Sequence, residues 1–246
     1  MVLEGRLTKD KFGYAMPADA PLYARPPIYY KEAEMIGITY ETDTDAALDL
    51  LPEGLGLPGP ATASLLFIRY PWSTLGPYEE TILGISCLWD GELKFYIAHI
   101  VVNSDIPQAA GREIWGYPKK MATITIGTEG DILWGKMERP AGHLLCSAGM
   151  KPEIPVGELP AAGGGGLSLR IIPSPEEGAP PSLAELIEVP PHNNVQLEMW
   201  TGPGWAVFHS NSSLDPWHKL PIKQVLGAIY RKYNMELGFG RVIKTY

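Results

Sequence analysis

GREIWGYPKKM, residues 111–121, is the segment around which the rest of this chain is organised. The mixture of polar and apolar residues at 106–115 predicts one or two helical turns, and Gly116-Tyr117-Pro118 predicts their end. Residues 121–126 then have the pattern of a β-strand. Lys119 and Lys120 therefore stand where a turn enters a sheet, a position from which a side chain can point into a cleft or a barrel mouth.

Amine chemistry is the first functional hypothesis for this turn. A lysine attacks a carbonyl only as the neutral amine, so catalysis at Lys119 requires surroundings that disfavour the ammonium form. Burial in an apolar pocket is expected to be the main cause. Repulsion from Lys120 is expected to assist, although neighbouring strand residues point to opposite faces and the two ammonium groups are then ~8–10 Å apart. The alternative is a solvated turn with both lysines in water.

The segment resembles the active-site sequence of the acetoacetate decarboxylase family, in which a Gly-Arg-Glu run leads through Tyr-Pro into a lysine pair. The resemblance implies that Lys119 matches the lysine that forms the Schiff base. It also implies that Lys120 matches the neighbour linked to activation of that lysine. Tyr117 belongs to the same motif and is a substrate-binding candidate. The likeness extends from about residue 36 to the end of the chain, through short islands such as WTGP at 200–203.

A second motif, LGPYEE at residues 75–80, resembles the Leu-Gly-x-Tyr-x-Glu pattern of the same family. By that resemblance Glu80 matches a glutamate near the reactive lysine and is a further catalytic candidate. Tyr78 is a substrate-binding candidate, and Glu79 falls on the variable position. The best-known members carry an arginine and another glutamate at places that an ungapped comparison matches to Ala33 and Leu65.

These departures leave open how the substrate carboxylate is recognised, and Arg69 and Arg112 are the candidates. The leading hypothesis is a Schiff-base lyase that decarboxylates a small β-keto acid such as acetoacetate, without cofactor or metal. A second hypothesis in the same superfamily is an aldolase-dehydratase that joins pyruvate, or another 2-keto acid, to an aldehyde through the same iminium. A third is a non-catalytic barrel that binds a small ligand, with its lysines exposed.

The composition limits the class of protein. The chain has 246 residues, a formal net charge of −8 and a pI near 5.2, which argue against nucleic acid or an anionic membrane as the main partner. Cys87 and Cys146 fit neither a disulfide framework nor a zinc motif, and the histidines lack metal-ligand spacing. No apolar run approaches the ~20 residues of a membrane helix, and no signal peptide is recognised. These features predict a cytoplasmic protein, and the family resemblance implies that its partner is a small keto acid.

Short strands separated by turns dominate the remaining sequence. They are predicted at residues 35–40, 63–70, 82–88, 94–102, 132–138, 143–150, 167–173 and 241–246, with Asp90-Gly91 as a hairpin turn. Helices are predicted at 45–51, capped by Thr42 or Asp43, and at 221–233. These elements predict an α+β fold, a curved antiparallel β-sheet closing into a β-barrel with short helices at its rim.

Residues 1–35 are rich in proline and tyrosine and predict an extended N-terminal arm, whereas residues 36–246 predict a single acetoacetate decarboxylase-like domain. The arm is compatible with the homo-oligomer that the resemblance implies. GLGLPG at 54–59 matches the letters of a dinucleotide motif, but prolines stand where its helix should begin, so it predicts a turn. The glycines at 163–166 predict a surface loop within the domain.

Overall fold

Two β-sheets form most of the molecule. The computed structural model describes residues 2–157, 166–190 and 194–246. The strands are β1 Ile28–Glu41, β2 Thr62–Tyr70, β3 Trp72–Ser73, β4 Tyr78–Trp89, β5 Glu92–Val102, β6 Lys119–Met121, β7 Thr123–Glu129, β8 Ile132–Glu138, β9 Leu144–Met150, β10 Ile154–Pro155, β11 Gly166–Ile172, β12 Leu183–Val189, β13 Val195–Thr201, β14 Gly204–Phe208, β15 Gln224–Leu237 and β16 Arg241–Thr245. The helical segments are short: α1 Thr44–Leu48, α2 Asp105–Ala110, a π-helical turn Gly111–Trp115, and 3-10 turns Lys9–Lys11 and Trp217–Lys219.

The larger sheet has the strand order β10-β13-β15-β1-β2-β4-β5-β11-β12-β16, with β3 beside β1 and β6 beside β5. The smaller sheet has the order β14-β9-β8-β7. Most neighbours are antiparallel, whereas β6 and β11 pair with β5 in parallel. The predicted sheet-dominated fold with short helices is confirmed. Among the described residues the pairings follow an open path from β10 to β16, so the predicted closure into a barrel stays a prediction.

The two faces of the larger sheet bury different cores, because side chains alternate along a strand. On one face, Ile36 and Ile38 of β1 pack with Phe67 and with residues of the smaller sheet. The opposite face carries Ala33 and Ile68 in a second core, which also contains Trp115 and several tyrosines. We call this second face the lysine face, since the candidate residues described below lie on it.

The helix predicted at residues 221–233 is wrong. These residues mostly belong to β15, which lies between β1 and β13. A strand with neighbours on both sides and contacts on both faces does not show a clean polar-apolar alternation, so its apolar residues can imitate helical spacing. Leu226, placed on the apolar face of the predicted helix, is 52% exposed.

The first strand is longer than predicted. It begins at Ile28 instead of residue 35, so the last part of the predicted arm is paired within the larger sheet. The extension contains an irregularity at Glu32, whose φ is 54° and whose backbone N–H donates to Asn234 Oδ1 at 2.8 Å. The division into an arm and one domain stays a prediction.

Other local predictions agree with the structure. Asp90 and Gly91 connect β4 to β5 with φ values of 53° and 78°, the left-handed pair of a tight hairpin turn. Asp43 caps α1 by accepting a hydrogen bond from the N–H of Ala46. In the described ranges, none of the helices is both long and apolar enough to cross a membrane. Of the predicted glycine loop, residues 163–165 lie outside the described residues.

Candidate active site

Lys119 reaches the sheet through a helix, a left-handed glycine and a short strand. Helix α2 continues into the π-helical turn, and Gly116 follows with φ 72° and ψ 17°. Glycine adopts this conformation without steric cost. A Cβ at this position would also lie 2.5 Å from the Cα of Arg170, so a larger residue would displace β11. The turn is therefore fixed by local sterics before Lys119 begins β6.

The strand register brings Lys119 and Glu80 to the same face. Lys119 pairs with Ile100 of β5, and Ile100 pairs with Ile82 of β4. Paired residues point to one face of a sheet, as do residues two apart along a strand. Glu80, two residues before Ile82, therefore lies beside Lys119 on the lysine face although the two residues are distant in sequence.

Lys119 and Glu80 form a buried ion pair. The Nζ of Lys119 lies 2.7 Å from Oε2 of Glu80, and each side chain is 5% exposed. The contact does not have hydrogen-bond angles, so Oε2 is left without a hydrogen bond. Burying two opposite charges has a desolvation cost that their attraction offsets only in part. Transfer of one proton from Nζ to the carboxylate removes both charges and produces the neutral amine that nucleophilic attack requires.

Tyrosine side chains surround the ion pair. The hydroxyl of Tyr70 donates to Oε1 of Glu80 at 3.1 Å. The rings of Tyr78 and Tyr117 have their centroids 5.5 and 5.8 Å from the Nζ of Lys119. Burial, followed by the nearby charge of Glu80, raises the pKa of Tyr70 and of Tyr117 well above the ordinary value. These hydroxyls therefore remain protonated and act as donors near neutral pH.

Lys120 points away from the ion pair, as strand alternation predicts. Its Nζ lies 2.9 Å from Oδ1 of Asp215 and also donates to the carbonyl of Leu214. Asp215 is 5% exposed and binds a second cation, Arg139, whose Nε is 3.0 Å from Oδ2. The structure therefore gives Lys120 an anchoring contact and does not bring it to Glu80.

The two predicted arginines also lie away from the ion pair. Arg69 points to the face opposite Tyr70, where its Nη1 is 3.4 Å from Glu34 and its Nε is 3.7 Å from Glu79. Arg112 is exposed, and its Nη1 donates to the carbonyl oxygen of Lys119 at 3.2 Å. Arg112 thus holds the backbone of the site, and substrate binding by either arginine stays a prediction.

The two departures from the family pattern have different positions. Ala33 is fully buried on the lysine face, among the tyrosines. Leu65 pairs with Ile38 and faces the core between the sheets, so it does not point towards Glu80. Of these two positions, Ala33 therefore lies on the lysine face and Leu65 does not.

Gly111 makes room for the reactive side chain. A Cβ at this position would lie 2.6 Å from Cδ and 2.8 Å from Cε of Lys119. The backbone of Gly111 has φ −60° and ψ −46°, values that any residue adopts. The backbone conformation of Gly111 does not require glycine. Glycine is required because the side chain of Lys119 passes so close to its Cα.

Sequence reasoning missed Tyr70, and also Tyr30 and Tyr233, which are buried in the same core. It also missed Arg231, whose guanidinium carbon lies 4.7 Å from the centre of the Tyr233 ring. Tyr70 could have been found, because a residue two places after Ile68 shares its face on a predicted strand. Tyr30 was assigned to the arm. Tyr233 and Arg231 could not be placed because residues 221–233 were predicted as a helix, so the alternation of faces along a strand was not applied to them.

A cavity of about 610 Å³ lies outside this cluster, between the N-terminal segment and the π-helical turn. Glu113, Arg170 and Tyr23 are part of its wall, and neither Lys119 nor Glu80 is. We therefore place the candidate site at Lys119 and Glu80. Their buried amine and carboxylate can take part in a reaction, whereas the size of a cavity does not by itself indicate one.

Comparison with known families gives a match to the sequence model described as acetoacetate decarboxylase (ADC), over residues 15–246. The chain belongs to the acetoacetate decarboxylase family. Acetoacetate decarboxylase 1 of Bradyrhizobium diazoefficiens is 32% identical over 239 residues, which cover 95% of this chain and 93% of that protein. Members of the family with this name are decarboxylases, so the family supports a lyase.

Solved structures of relatives have the same fold. The crystal structure of the acetoacetate decarboxylase from Legionella pneumophila matches with a TM-score of 0.87 at 27% identity, covering 99% of this chain and 97% of that one. The enduracididine biosynthesis enzyme MppR, complexed with pyruvate, matches with a TM-score of 0.80 at 20% identity, covering 96% and 99% of the two chains. At that identity the second likeness concerns the fold alone.

Proposed function

We propose that this member of the acetoacetate decarboxylase family decarboxylates a small β-keto acid through a Schiff base on Lys119. The observation that carries the proposal is the buried contact of 2.7 Å between Lys119 Nζ and Glu80 Oε2. An amine beside a carboxylate has a proton acceptor within reach. Because both groups are shielded from water, an imine formed there is also protected from premature hydrolysis.

The reaction begins when Glu80 accepts a proton from Lys119. The neutral amine adds to the ketone carbon of the substrate, and a carbinolamine forms. Glu80 returns a proton to the carbinolamine oxygen, which leaves as water and produces an iminium cation. The hydrogen bond from Tyr70 to Oε1 holds the carboxylate in position for both transfers.

The iminium cation then accepts the electron pair of the adjacent carbon–carbon bond. This bond breaks, CO2 leaves, and the pair becomes the carbon–carbon double bond of an enamine. Protonation of the enamine carbon and addition of one water release a methyl ketone and restore the amine. The buried rings of Tyr78 and Tyr117 support this step, because surroundings with little water destabilise the anionic carboxylate more than the neutral enamine.

Borohydride trapping tests the proposal. Reduction in the presence of acetoacetate is expected to leave a covalent adduct that peptide mass spectrometry locates at Lys119. Lys119→Arg is the matched control, since arginine keeps a positive charge beside Glu80 and cannot form the imine. Release of CO2 by Lys119→Arg at the rate of the unmodified protein would refute the proposal. Glu80→Gln is expected to lower kcat roughly 10²- to 10⁴-fold by removing the proton acceptor.

Aldol addition followed by dehydration is a second candidate, and Ala33 is the observation that favours it. The best-known decarboxylases carry an arginine at the matching position, and a buried methyl group occupies it in this chain. The same iminium on Lys119, formed from pyruvate, loses a proton to become the nucleophile that attacks an aldehyde. Incubation with acetoacetate, and separately with pyruvate plus an aldehyde, distinguishes the two reactions by their products.

We also propose a homo-oligomer in the cytoplasm. The smaller sheet exposes Ile132, Trp205 and Val207, which are 41%, 42% and 42% accessible, and adjacent exposed apolar side chains favour association. Cys87 and Cys146 are both free and buried, as is usual in a reducing compartment. Analytical ultracentrifugation tests the first proposal, since a monomer at micromolar concentration would exclude it.

A further inference from the structure

Arg231 is a cation that forms no ion pair with residues 2–157, 166–190 or 194–246. It lies on β15, where its guanidinium carbon is 4.7 Å from the ring centroid of Tyr233. Its Nε is buried and has no hydrogen-bond partner among the described residues. A guanidinium has five donors and usually binds carboxylates, so a partly buried guanidinium that has no anionic partner in the described part of the chain is a candidate for ligand binding.

The register places Arg231 on the lysine face. Arg231 pairs with Met35, Met35 pairs with Ile68, and Ile68 pairs with Glu80. Each pair shares a face, so the four side chains form one row across β15, β1, β2 and β4. Three strand spacings of ~4.8 Å put the backbone of Arg231 about 14 Å from that of Glu80 in a flat sheet.

Tyrosines connect the two ends of this row. Tyr233 pairs with Ala33, and its hydroxyl approaches that of Tyr70, which in turn donates to Glu80. Burial raises the pKa of Tyr233 to about 12, so it too remains a hydrogen-bond donor. The guanidinium, Tyr233 and Tyr70 thus provide polar groups between Arg231 and the ion pair.

Solvent exposure increases along the row towards Arg231. Glu80 and Ile68 are buried, whereas Met35 and Arg231 are partly exposed. An anion that approaches the lysine face along this row meets Arg231 before it meets Lys119. A lone cation at the accessible end of a low-dielectric surface attracts such an anion.

We propose that Arg231 binds a second carboxylate of the substrate, distant from the ketone, so that the preferred substrate is a β-keto dicarboxylate. The inference rests on the proposed function of Lys119. The carboxylate that leaves as CO2 is only one carbon from the ketone, whereas the backbone of Arg231 lies three strands away from that of Glu80. The guanidinium therefore serves the far end of a longer molecule, with the tyrosine hydroxyls along its path.

A homologous series measures this preference. The probes are acetoacetate, β-ketoadipate, β-ketopimelate and β-ketosuberate, and the readout is kcat and KM for CO2 release by each. The unmodified protein is expected to prefer a dicarboxylate of one length to acetoacetate. Arg231→Gln is expected to reduce the ratio of kcat/KM for that dicarboxylate to kcat/KM for acetoacetate roughly ten- to hundredfold, the effect of losing one charged hydrogen-bonding pair. The loss should appear mainly in KM, because the far carboxylate takes no part in bond breaking.

Two variants make the result specific. Arg231→Lys keeps the charge and is expected to restore part of the ratio. Lys232→Gln removes the next cation of β15, which points to the other face and lies 3.6 Å from Glu32, and should leave the ratio unchanged. If Arg231→Gln lowers activity equally on all probes, Arg231 has only a structural role, and the inference is overturned. A preference of the unmodified protein for acetoacetate overturns it as well.

Trapping separates this inference from the proposal on which it rests. If borohydride still yields the Lys119 adduct with acetoacetate while the ratio is insensitive to Arg231, the inference fails and the decarboxylase proposal stands. If no keto acid of the series gives an adduct in the unmodified protein, the decarboxylase proposal fails and the inference fails with it.

Discussion

Gly111→Ala should separate the chemistry of the site from the stability of the fold. The new Cβ would lie 2.6 Å from Cδ of Lys119, whereas carbon atoms in contact lie about 3.6 Å apart, so the lysine chain must move by about 1 Å. The Nζ is then displaced from its position 2.7 Å from Glu80. A displacement of this size in a reacting group costs about 10²-fold in rate.

The same substitution should change stability little. Gly111 has helical φ and ψ, so alanine contributes ~0.5–1 kcal/mol by restricting the unfolded chain. Overpacking of a buried position costs ~1–3 kcal/mol, and the displaced atoms belong to a flexible side chain, which favours the low end of that range. The two effects nearly cancel, and the free energy of unfolding is expected to stay within about 2 kcal/mol of the original value.

The assay combines CO2 release, borohydride trapping at Lys119 and chemical unfolding of the same preparation. Gly227→Ala is the matched control, because a Cβ at that position of β15 meets no atom within 4 Å. An unchanged kcat/KM in Gly111→Ala would refute the reasoning, since the lysine would then tolerate the displacement. Unfolding of the variant under conditions where the control is native would refute the stability argument.

Three further predictions concern Tyr70 beside the ion pair and His99 and Asp215 on the opposite face of the larger sheet. Tyr70→Phe removes the donor to Glu80 and should lower kcat about tenfold or more, the effect of one hydrogen bond to a charged group; circular dichroism should remain native, and unchanged kinetics would deny Tyr70 a role. Burial lowers the pKa of His99 to about 4 from 6.5, so between these two values the unfolded chain binds a proton that the folded chain does not. The contribution of His99 to the free energy of unfolding is therefore fully present above pH 6.5 and falls by about 3 kcal/mol towards pH 4. Denaturant titrations of His99→Gln should lack this part of the decline. Asp215→Asn leaves Lys120 and Arg139 without their shared carboxylate. Because the two cations stay partly solvated, the expected loss in the same titrations is about 1–2 kcal/mol, the effect of losing hydrogen bonds to a charged group, and an unchanged free energy of unfolding would deny the contact a role.

The parts of the fold that could be predicted from the sequence are those in which a few neighbouring residues determine a turn, a cap or a strand. Asp90-Gly91 identified its hairpin because the turn needs two residues that accept positive φ, and both supply it. β15 could not be recognised by the same means, because polar and apolar residues are mixed on both of its faces, and its position between β1 and β13 is what makes it a strand. The presence of Gly227 and two β-branched residues, Val225 and Ile229, favoured a strand over the predicted helix.

The candidate site shows a similar limit. Lys119 and Glu80 were found through resemblance to a family, since no local pattern reveals that β4, β5 and β6 are neighbours. Given the register, however, alternation alone assigns Tyr70 and Arg231 to the same face. The missing information was therefore the order of the strands, which depends on contacts between distant segments and not on the residues of any one segment.

The opposite orientations of Lys119 and Lys120 have a practical consequence. A single short strand presents one amine to a dry interior and the next to an ionic contact that is 40% accessible, so the two differ in surroundings while sharing the same backbone. When a small acylating reagent is added, the extent of modification of Lys120 measures the dose. The ratio of Lys119 modification to Lys120 modification then measures how often the buried site opens to solvent. That ratio can be followed in one tryptic peptide map, without substrate and without a mutant, as temperature or denaturant is varied.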